Sequence, residues 1–508
     1  MTQQLQTRRK RIAPLARSDS RSGFVLIWCT FVIVALLGMV GLVIDAGMCM
    51  TAQRQAQNAA DAGALAAMMD VLNGKSTGTA TATATTFVTQ YNKDYSPEQT
   101  LTPAVHFPPT SGSYAGRAGY VECDVTVQVH TFLLRVLPGA SSMQQVSARA
   151  VAGIEYGTVG EGAGVLDQTA RPGIDVSGGG HLRVNGQVMV NSDGGGLTET
   201  GAPINNGNSG TAVTVNNNGS VIATEVDVVG GVNNPSGFQS YTPGGPNPLH
   251  TGQLPVPDPL AYLPVPTTAN GVDPTKRGSP SATNGSLKLN DPSGFNKILT
   301  DPVTHVQYMQ LYPGIYDSIS ITGGTVKFYP GIYVLSAQKN NQATLTINGG
   351  NVTANGVMFY NTGSNYNPTS GAPDINDKTT APPITDGALL GSVSINGVVP
   401  MSPIDTNISS YNYGGYQAGA AVPSSEFNGM LFYQRRSSQQ TFSVTGNSGN
   451  GALNGTLYAK YARANFTGQG SFDAQFIVGS IKITGQGTVT INFTGTEFGK
   501  SKLVYLVE

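Results

Sequence analysis

Side chains able to do acid–base, nucleophilic or metal chemistry are sparse in this 508-residue chain. The five histidines (His106, His130, His181, His250 and His305) lie far apart, and no His-x-x-x-His or Cys-x-x-Cys pair supplies metal-ligand spacing. No Gly-x-Ser-x-Gly elbow and no phosphate-cradling Gly-Lys-Ser/Thr loop is recognised. The most promising acids are Asp193 in NSDGGG and Asp374 with Asp377 in PDINDK. Both sit among turn residues, where Asp bonds the local backbone, so they read as turn formers. Arg435-Arg436 reads as a solvated basic pair. The expectation is a protein that is not an enzyme and has no catalytic, cofactor-binding or metal-ligating residues.

The elements that carry these residues divide the chain unevenly. Only 11% of residues are charged, against about 25% in an ordinary soluble domain. The formal net charge is −1, so there is no global field to recruit nucleic acid, and no nucleic-acid partner is expected. Residues 1–157 carry 12 Lys/Arg and 9 Asp/Glu, while residues 158–508 carry 16 and 20. Six of the early basic residues (Arg8, Arg9, Lys10, Arg11, Arg17 and Arg21) precede the first apolar run, opposed by Asp19 alone.

That run, Gly23 to Ile44, is 22 residues without a charge. As a helix it is about 33 Å long, enough to cross a hydrocarbon core of about 30 Å. It is longer than the apolar region of a signal peptide, about 7–15 residues, and no small-x-small site follows. The predicted layout is a basic cytoplasmic segment over 1–22, a single transmembrane helix over 23–44 and the remaining chain outside the cytoplasm. The membrane bilayer is thus one partner. Residues 45–74 are rich in Ala, Gln and Met without Pro and predict continuation of the helix, with Asn73-Gly74 as its stop. The alanines at 59, 60, 62, 64, 66 and 67 leave a narrow surface that another helix or a small sheet can approach, or simply form an Ala-rich stalk. Asp45 either pairs with a basic group on a partner helix or marks where the helix meets headgroups and water.

The segments GLVIDAG (41–47) and QRQAQNAADAGALAA (53–67) resemble the N-terminal region of TadG-like proteins, within the TadE/TadG-like group of tight-adherence (Flp) pilus assembly proteins. The likeness continues through VECDVTVQVHTFLLRVLPGASSMQQVSARAVAG (121–153), similar to the family's strand, aromatic-containing helix and strand. Ile44 before Asp45 and Gly63 inside the Ala run are mild departures. The resemblance implies a bacterial inner-membrane protein with a periplasmic bulk and other pilus assembly proteins as partners. Prepilins of the type IV kind are cut after a Gly and carry Glu at the fifth mature position; a cut after Gly23 would put Trp28 there. The chain therefore reads as an anchored assembly factor rather than a pilin subunit.

Residues 75–157 predict a small α/β module. Val121, Cys123, Val125, Val127 and Val129 alternate with polar residues, the period of a half-buried strand. A Cys49–Cys123 disulfide is open to an oxidising compartment. Residues 158–508 contain 52 glycines, with Asn-Gly and Gly-Gly pairs between short alternating runs. Tyr312-Pro313-Gly314-Ile315-Tyr316 recurs as Tyr329-Pro330-Gly331-Ile332-Tyr333. The fold expected is mainly β, a right-handed parallel β-helix or solenoid; a β-sandwich also accommodates such strands. A Pro-rich insertion near 235–280 and a loop near 362–390 read as loops or wrapping segments leaving the stack. The Gly-rich region is loosely similar to β-solenoid regions attached to some TadG-like proteins.

Three functions fit. The first is a membrane-anchored assembly or tethering factor of a tight-adherence pilus. The second is an envelope adhesin or glycan-binding surface protein, using tyrosines such as Tyr312, Tyr316, Tyr329 and Tyr333, which also fit a packing role. The third is a β-helix polysaccharide lyase or hydrolase, which needs grouped carboxylates that this sequence does not display. The first reading is taken forward.

Overall fold

The computed structural model describes residues 22–72, 74–91, 100–131, 142–158, 161–340, 342–378, 380–397, 399–416, 421–445, 453–492 and 499–508. The basic cluster before residue 22, Asn73 and the segment 132–141 fall outside these residues. The chain forms two compact units: Met1–Glu155 with Leu503–Glu508, and Tyr156–Lys502. The expectation of a single region over 158–508 is corrected here, because the last residues belong to the first unit.

In the first unit a single helix, α1 (Ser22–Leu72), runs about 77 Å. From Phe24 to Ile44 its side chains are exposed apart from Gly41, and this stretch is long and apolar enough to be a candidate single membrane span. The outer half is different. Ala52, Ala56, Ala59, Ala60, Gly63, Ala64, Ala67 and Met68 are buried at helical spacing, while Gln53, Arg54 and Asn58 stay exposed. Gly74, with φ +77°, ends the helix, and the Lys75 N–H returns to the Asp70 carbonyl. Ser76 then caps α2 (Thr77–Thr86) by accepting from the Thr79 N–H. Ala80 and Ala84 of α2 join the same core.

The sheet beneath consists of β1 (Leu101–His106), β2 (Tyr120–His130), β3 (Met143–Thr158) and a last strand, Lys500–Leu506, in that order. β2 is antiparallel to both β1 and β3. Its alternation places Val121, Cys123, Val125, Val127 and Val129 on the face that packs with α1 and α2. Small helix residues let the sheet come close. A Cβ built on Gly63 would lie 2.9 Å from both the Cys123 Sγ and a Val88 methyl. The Cys49–Cys123 bridge is not formed, and all three cysteines are free. Cys123 meets α1 at Gly63, 14 residues beyond Cys49 and thus about 21 Å along the helix, beyond the reach of a disulfide.

The second unit is built from short strands in three columns, paired in parallel from one pass to the next. One column runs through Gly314–Tyr316, Gly331–Ser336, Val357–Thr362, Met430–Gln434 and Asn454–Thr467. A second runs through Ile319–Ile321, Ala343–Asn348, Ser392–Asn396 and Phe442–Thr445, and a third through Gln307–Leu311, Thr325–Phe328 and Asn351–Ala354. The two Tyr-Pro-Gly-Ile-Tyr segments are neighbours in this arrangement. Their second tyrosines are buried and donate to the carbonyls of their own first tyrosines, Tyr316 to Tyr312 at 2.5 Å and Tyr333 to Tyr329 at 2.8 Å. Inward Val, Ile, Leu and Phe form one continuous core.

Strand order does not follow chain order. The pass beginning at Glu161–Val165 pairs on one side with Gly470–Thr484, near the end of the unit, and on the other, through Gln187–Val190, with Glu225–Val228. After Leu249–His250 the chain goes back to begin again at Lys276–Gly278, paired with Gly314–Tyr316. The returning segment carries Leu260, Leu263, Val265 and Val272 across outward-facing Ile477, Tyr458, Tyr433, Tyr360, Val334, Ile332 and Ile315. This strap covers a second face of the first column. Strands such as Gly331–Ser336 and Val357–Thr362 are consequently buried along their whole length. Of the insertion near 235–280, Phe238–Ser240 and Leu249–His250 pair within the stack, and the part from Leu260 to Val272 wraps across it.

Candidate functional site

The conspicuous surface of the first unit is α1 itself, an exposed apolar half followed by a half that is locked to its own sheet. Asp45, between them, is buried, one turn beyond the buried Gly41. Farther along, Asp70 accepts from Lys75 Nζ at 2.8 Å and Thr83 Oγ1 at 2.6 Å, and these two bonds hold its carboxyl below the ordinary range. They tie α1 to the turn before α2 and to Thr83 within it.

A second network braces the sheet. Glu122 is fully buried on β2. Burial pushes its pKa up, but hydrogen bonds from Ser111, Thr110 and Arg149 outweigh that and bring it down to about 2. Arg149 on β3 also reaches Glu508 at 2.6 Å and the Ser111 carbonyl at 2.6 Å. One guanidinium thus joins β2, β3, the 109–113 turn and the final residue, Glu508, just past the last strand.

In the second unit, residues read from sequence as separate turn formers and a solvated pair come together. Arg435 and Arg436 are both buried, which corrects that reading. Arg435 Nε lies 2.6 Å from Asp377 and 3.2 Å from Asp374, and its Nη2 lies 2.5 Å from Asp386. Asp374 also accepts from the Tyr360 and Thr362 hydroxyls. Burial raises its pKa to about 6 against the opposing pull of Arg435 and these hydroxyls. Arg436 turns toward the strap. Its Nη2 donates to the carbonyls of Leu263 at 2.8 Å and Leu260 at 3.2 Å, and its Nε to the Tyr458 hydroxyl at 3.0 Å. Tyr458 in turn donates to Asp258 at 2.7 Å. These contacts fasten loop and strap, while Arg435 Nη1 and Arg436 Nη1 are buried without a hydrogen-bond partner.

The remaining candidates stay apart. Asp193 pairs with Arg171 at 2.6 Å in a turn. His181 shares a 2.8 Å hydrogen bond with Ser220, His106 lies 3.9 Å from Asp124, and His305 occupies a turn with φ +57°. Among the described residues, His250 is the histidine with two carboxylates grouped around it, Glu225 and Asp227. Gly74-Lys75-Ser76-Thr77-Gly78 has nucleophile-elbow spacing that the sequence reading passed over. It joins two helices instead of a strand and a helix, and its Ser76 hydroxyl is engaged with Thr79. Tyr312 stacks on Tyr329 at 4.6 Å between ring centroids, with Tyr416 against both.

Residues 23–70 match the family model for Flp pilus-assembly TadE/G-like proteins. This is the stretch that forms the candidate span and the small-residue helix face. Among curated proteins, none matches the chain. Among solved structures, the chain is similar at a TM-score of 0.24 and 6% identity to the competence-associated pilin ComZ from Thermus thermophilus, over 81% of this chain and 84% of that one. A likeness of that size carries no inference about fold or role. The family match and the apolar helix support a pilus-related role with other pilus components as partners.

Proposed function

We propose that this protein is a membrane-anchored assembly or tethering factor of a tight-adherence (Flp) pilus. In this reading α1 holds it in the bacterial inner membrane with residues 1–22 cytoplasmic, and the bulk of the chain works in the periplasm. The observation that carries the proposal is the coincidence of the TadE/G-like match with α1 over 23–70. The second unit is read as a right-handed parallel β-helix that offers an extended surface to other assembly components. Three columns of parallel pairing support that reading. A non-enzymatic role accords with carboxylates already engaged by Arg435. The stacking of Tyr312 on Tyr329 consumes the ring faces a sugar would use, which weighs against glycan binding there.

The test compares strains that are intact, deleted, or complemented with the full chain or with a version in which residues 159–499 are replaced by a Gly-Ser linker. The last version retains residues 503–508 for the first unit. Fimbriae are counted by electron microscopy, with membrane-bound protein checked by blot. Loss on deletion and recovery with the linker version assigns assembly to the anchor unit. Normal fimbriae after deletion overturn the pilus reading.

A further inference from the structure

Glu225–Val228 lies in its column between Gln187–Val190 and Leu249–His250. Val226 and Val228 are buried in the core, so alternation turns Glu225 and Asp227 outward on the same side. The parallel register sets Asp227 opposite His250 of the next pass. One ligand atom from each of Glu225, Asp227 and His250 lies within 4.8 Å of the other two. Gln187 Nε2 donates to Asp227 Oδ2 at 2.7 Å and orients that carboxylate. Glu199, which accepts from the Thr251 N–H at 3.2 Å and from its hydroxyl, adds negative charge next to His250. Among the described residues, no Lys or Arg forms a salt bridge with Glu225 or Asp227. Two carboxylates on adjacent outward positions of one strand thus converge on an imidazole, with no Lys or Arg paired to them among the described residues.

We propose that Glu225, Asp227 and His250 bind a borderline first-row divalent cation of the zinc class. The donor set decides the class. Calcium and magnesium favour all-oxygen surroundings, whereas an imidazole with carboxylates suits zinc. Strands preset the ligands, and Gln187 holds Asp227 in place, as outer hydrogen-bond partners of metal ligands do. The site has a structural consequence. Leu249–His250 is a two-residue strand, held on this side by Val226 N–H to Pro248 at 2.8 Å and Gln253 N–H to Val228 at 3.1 Å. A cation shared by His250 and the Glu225–Val228 strand fastens the terminal pass just before the chain enters the strap.

The test uses the full-length, untagged protein in detergent, stripped with a chelator and titrated with zinc chloride by calorimetry. Hydrogen exchange over residues 245–256 is followed in parallel. The expected result is one zinc per chain that calcium does not displace, with affinity at least roughly tenfold weaker in His250→Ala, Asp227→Asn and Glu225→Gln. Circular dichroism checks that these surface variants fold. Slower exchange over 245–256 on adding zinc to the wild type only supports the fastening role. Absent binding, or binding unchanged in all three variants, overturns the site. Binding lost in the variants with exchange unmoved by zinc overturns the fastening role alone.

Discussion

Replacing Arg435 by Met is expected to free the 363–391 segment while the columns remain folded. The guanidinium is the cation shared by Asp374, Asp377 and Asp386, and the side chains of Arg435, Asp374 and Asp377 are only 2%, 1% and 6% exposed. Breaking a buried ion pair from one side costs about 3–5 kcal/mol, because the partner charge stays buried. Asp374 limits that cost. Its folded pKa of about 6 lies above the ordinary 3.8, so its contribution to stability is complete below 3.8 and is lost as pH rises through 6. Without Arg435 its pKa climbs further, and a proton taken up at lower pH relieves the repulsion. The loss in Arg435→Met is therefore larger at pH 8 than at pH 5. Asp374→Asn removes a costly buried charge while leaving Arg435 paired with Asp377 and Asp386, and is neutral to stabilising at pH 8. The assay is hydrogen exchange by mass spectrometry on the full chain in detergent. A loss of about 3 kcal/mol speeds exchange over 363–391 by roughly 150-fold. The reasoning fails if Arg435→Met changes exchange there by less than about threefold, or if Asp374→Asn loosens the segment as much.

Three further outcomes follow from the same accounting. Glu122, depressed from 4.5 to about 2, contributes stability that is present above 4.5 and lost as pH falls toward 2, about 3 kcal/mol in all; Glu122→Gln should flatten the acid-unfolding curve of the first unit in that window, as followed by circular dichroism. Gly63→Val brings atoms against Cys123 and Val88 and should cost about 1–3 kcal/mol through overpacking. Cys123→Ala in the same chain should restore part of it, and strict additivity in the double-mutant cycle would show that the two sites do not meet. Arg436→Met deprives the strap carbonyls of their donor and should speed thermolysin cleavage at the exposed Leu254; an unchanged cleavage rate would mean that apolar burial alone holds the strap.

The apolar helix and candidate span were legible because their information is local. A run without charges predicts the exposed half of α1, whereas the alanines left a packing face and a bare stalk equally open, and the structure packs Ala59, Ala60, Ala64 and Ala67 against β2. Alternation likewise marked β2 and its buried valines. The charged clusters were not legible in this way. Asp374 and Asp377 do occupy a turn, as their neighbours suggest, but Arg435 reaches them across 58–61 residues and Arg436 reaches the strap across some 173–176. Nothing near Arg435 in sequence announces burial, because its stabilising charges arrive from another loop.

The amino-acid sequence by itself determined which faces of this protein are apolar: the span, the Ala-rich helix face and the inward side of each short strand. Tertiary structure alone decided what covers them. It turned the last strand back to β3, set the pass at Glu161–Val165 against that at Gly470–Thr484, and laid the Pro-rich segment over the outward face of a column. The physical reason is that periodicity records whether a side chain leaves water, whereas its partner is set by long-range pairing, which adds no period to the sequence.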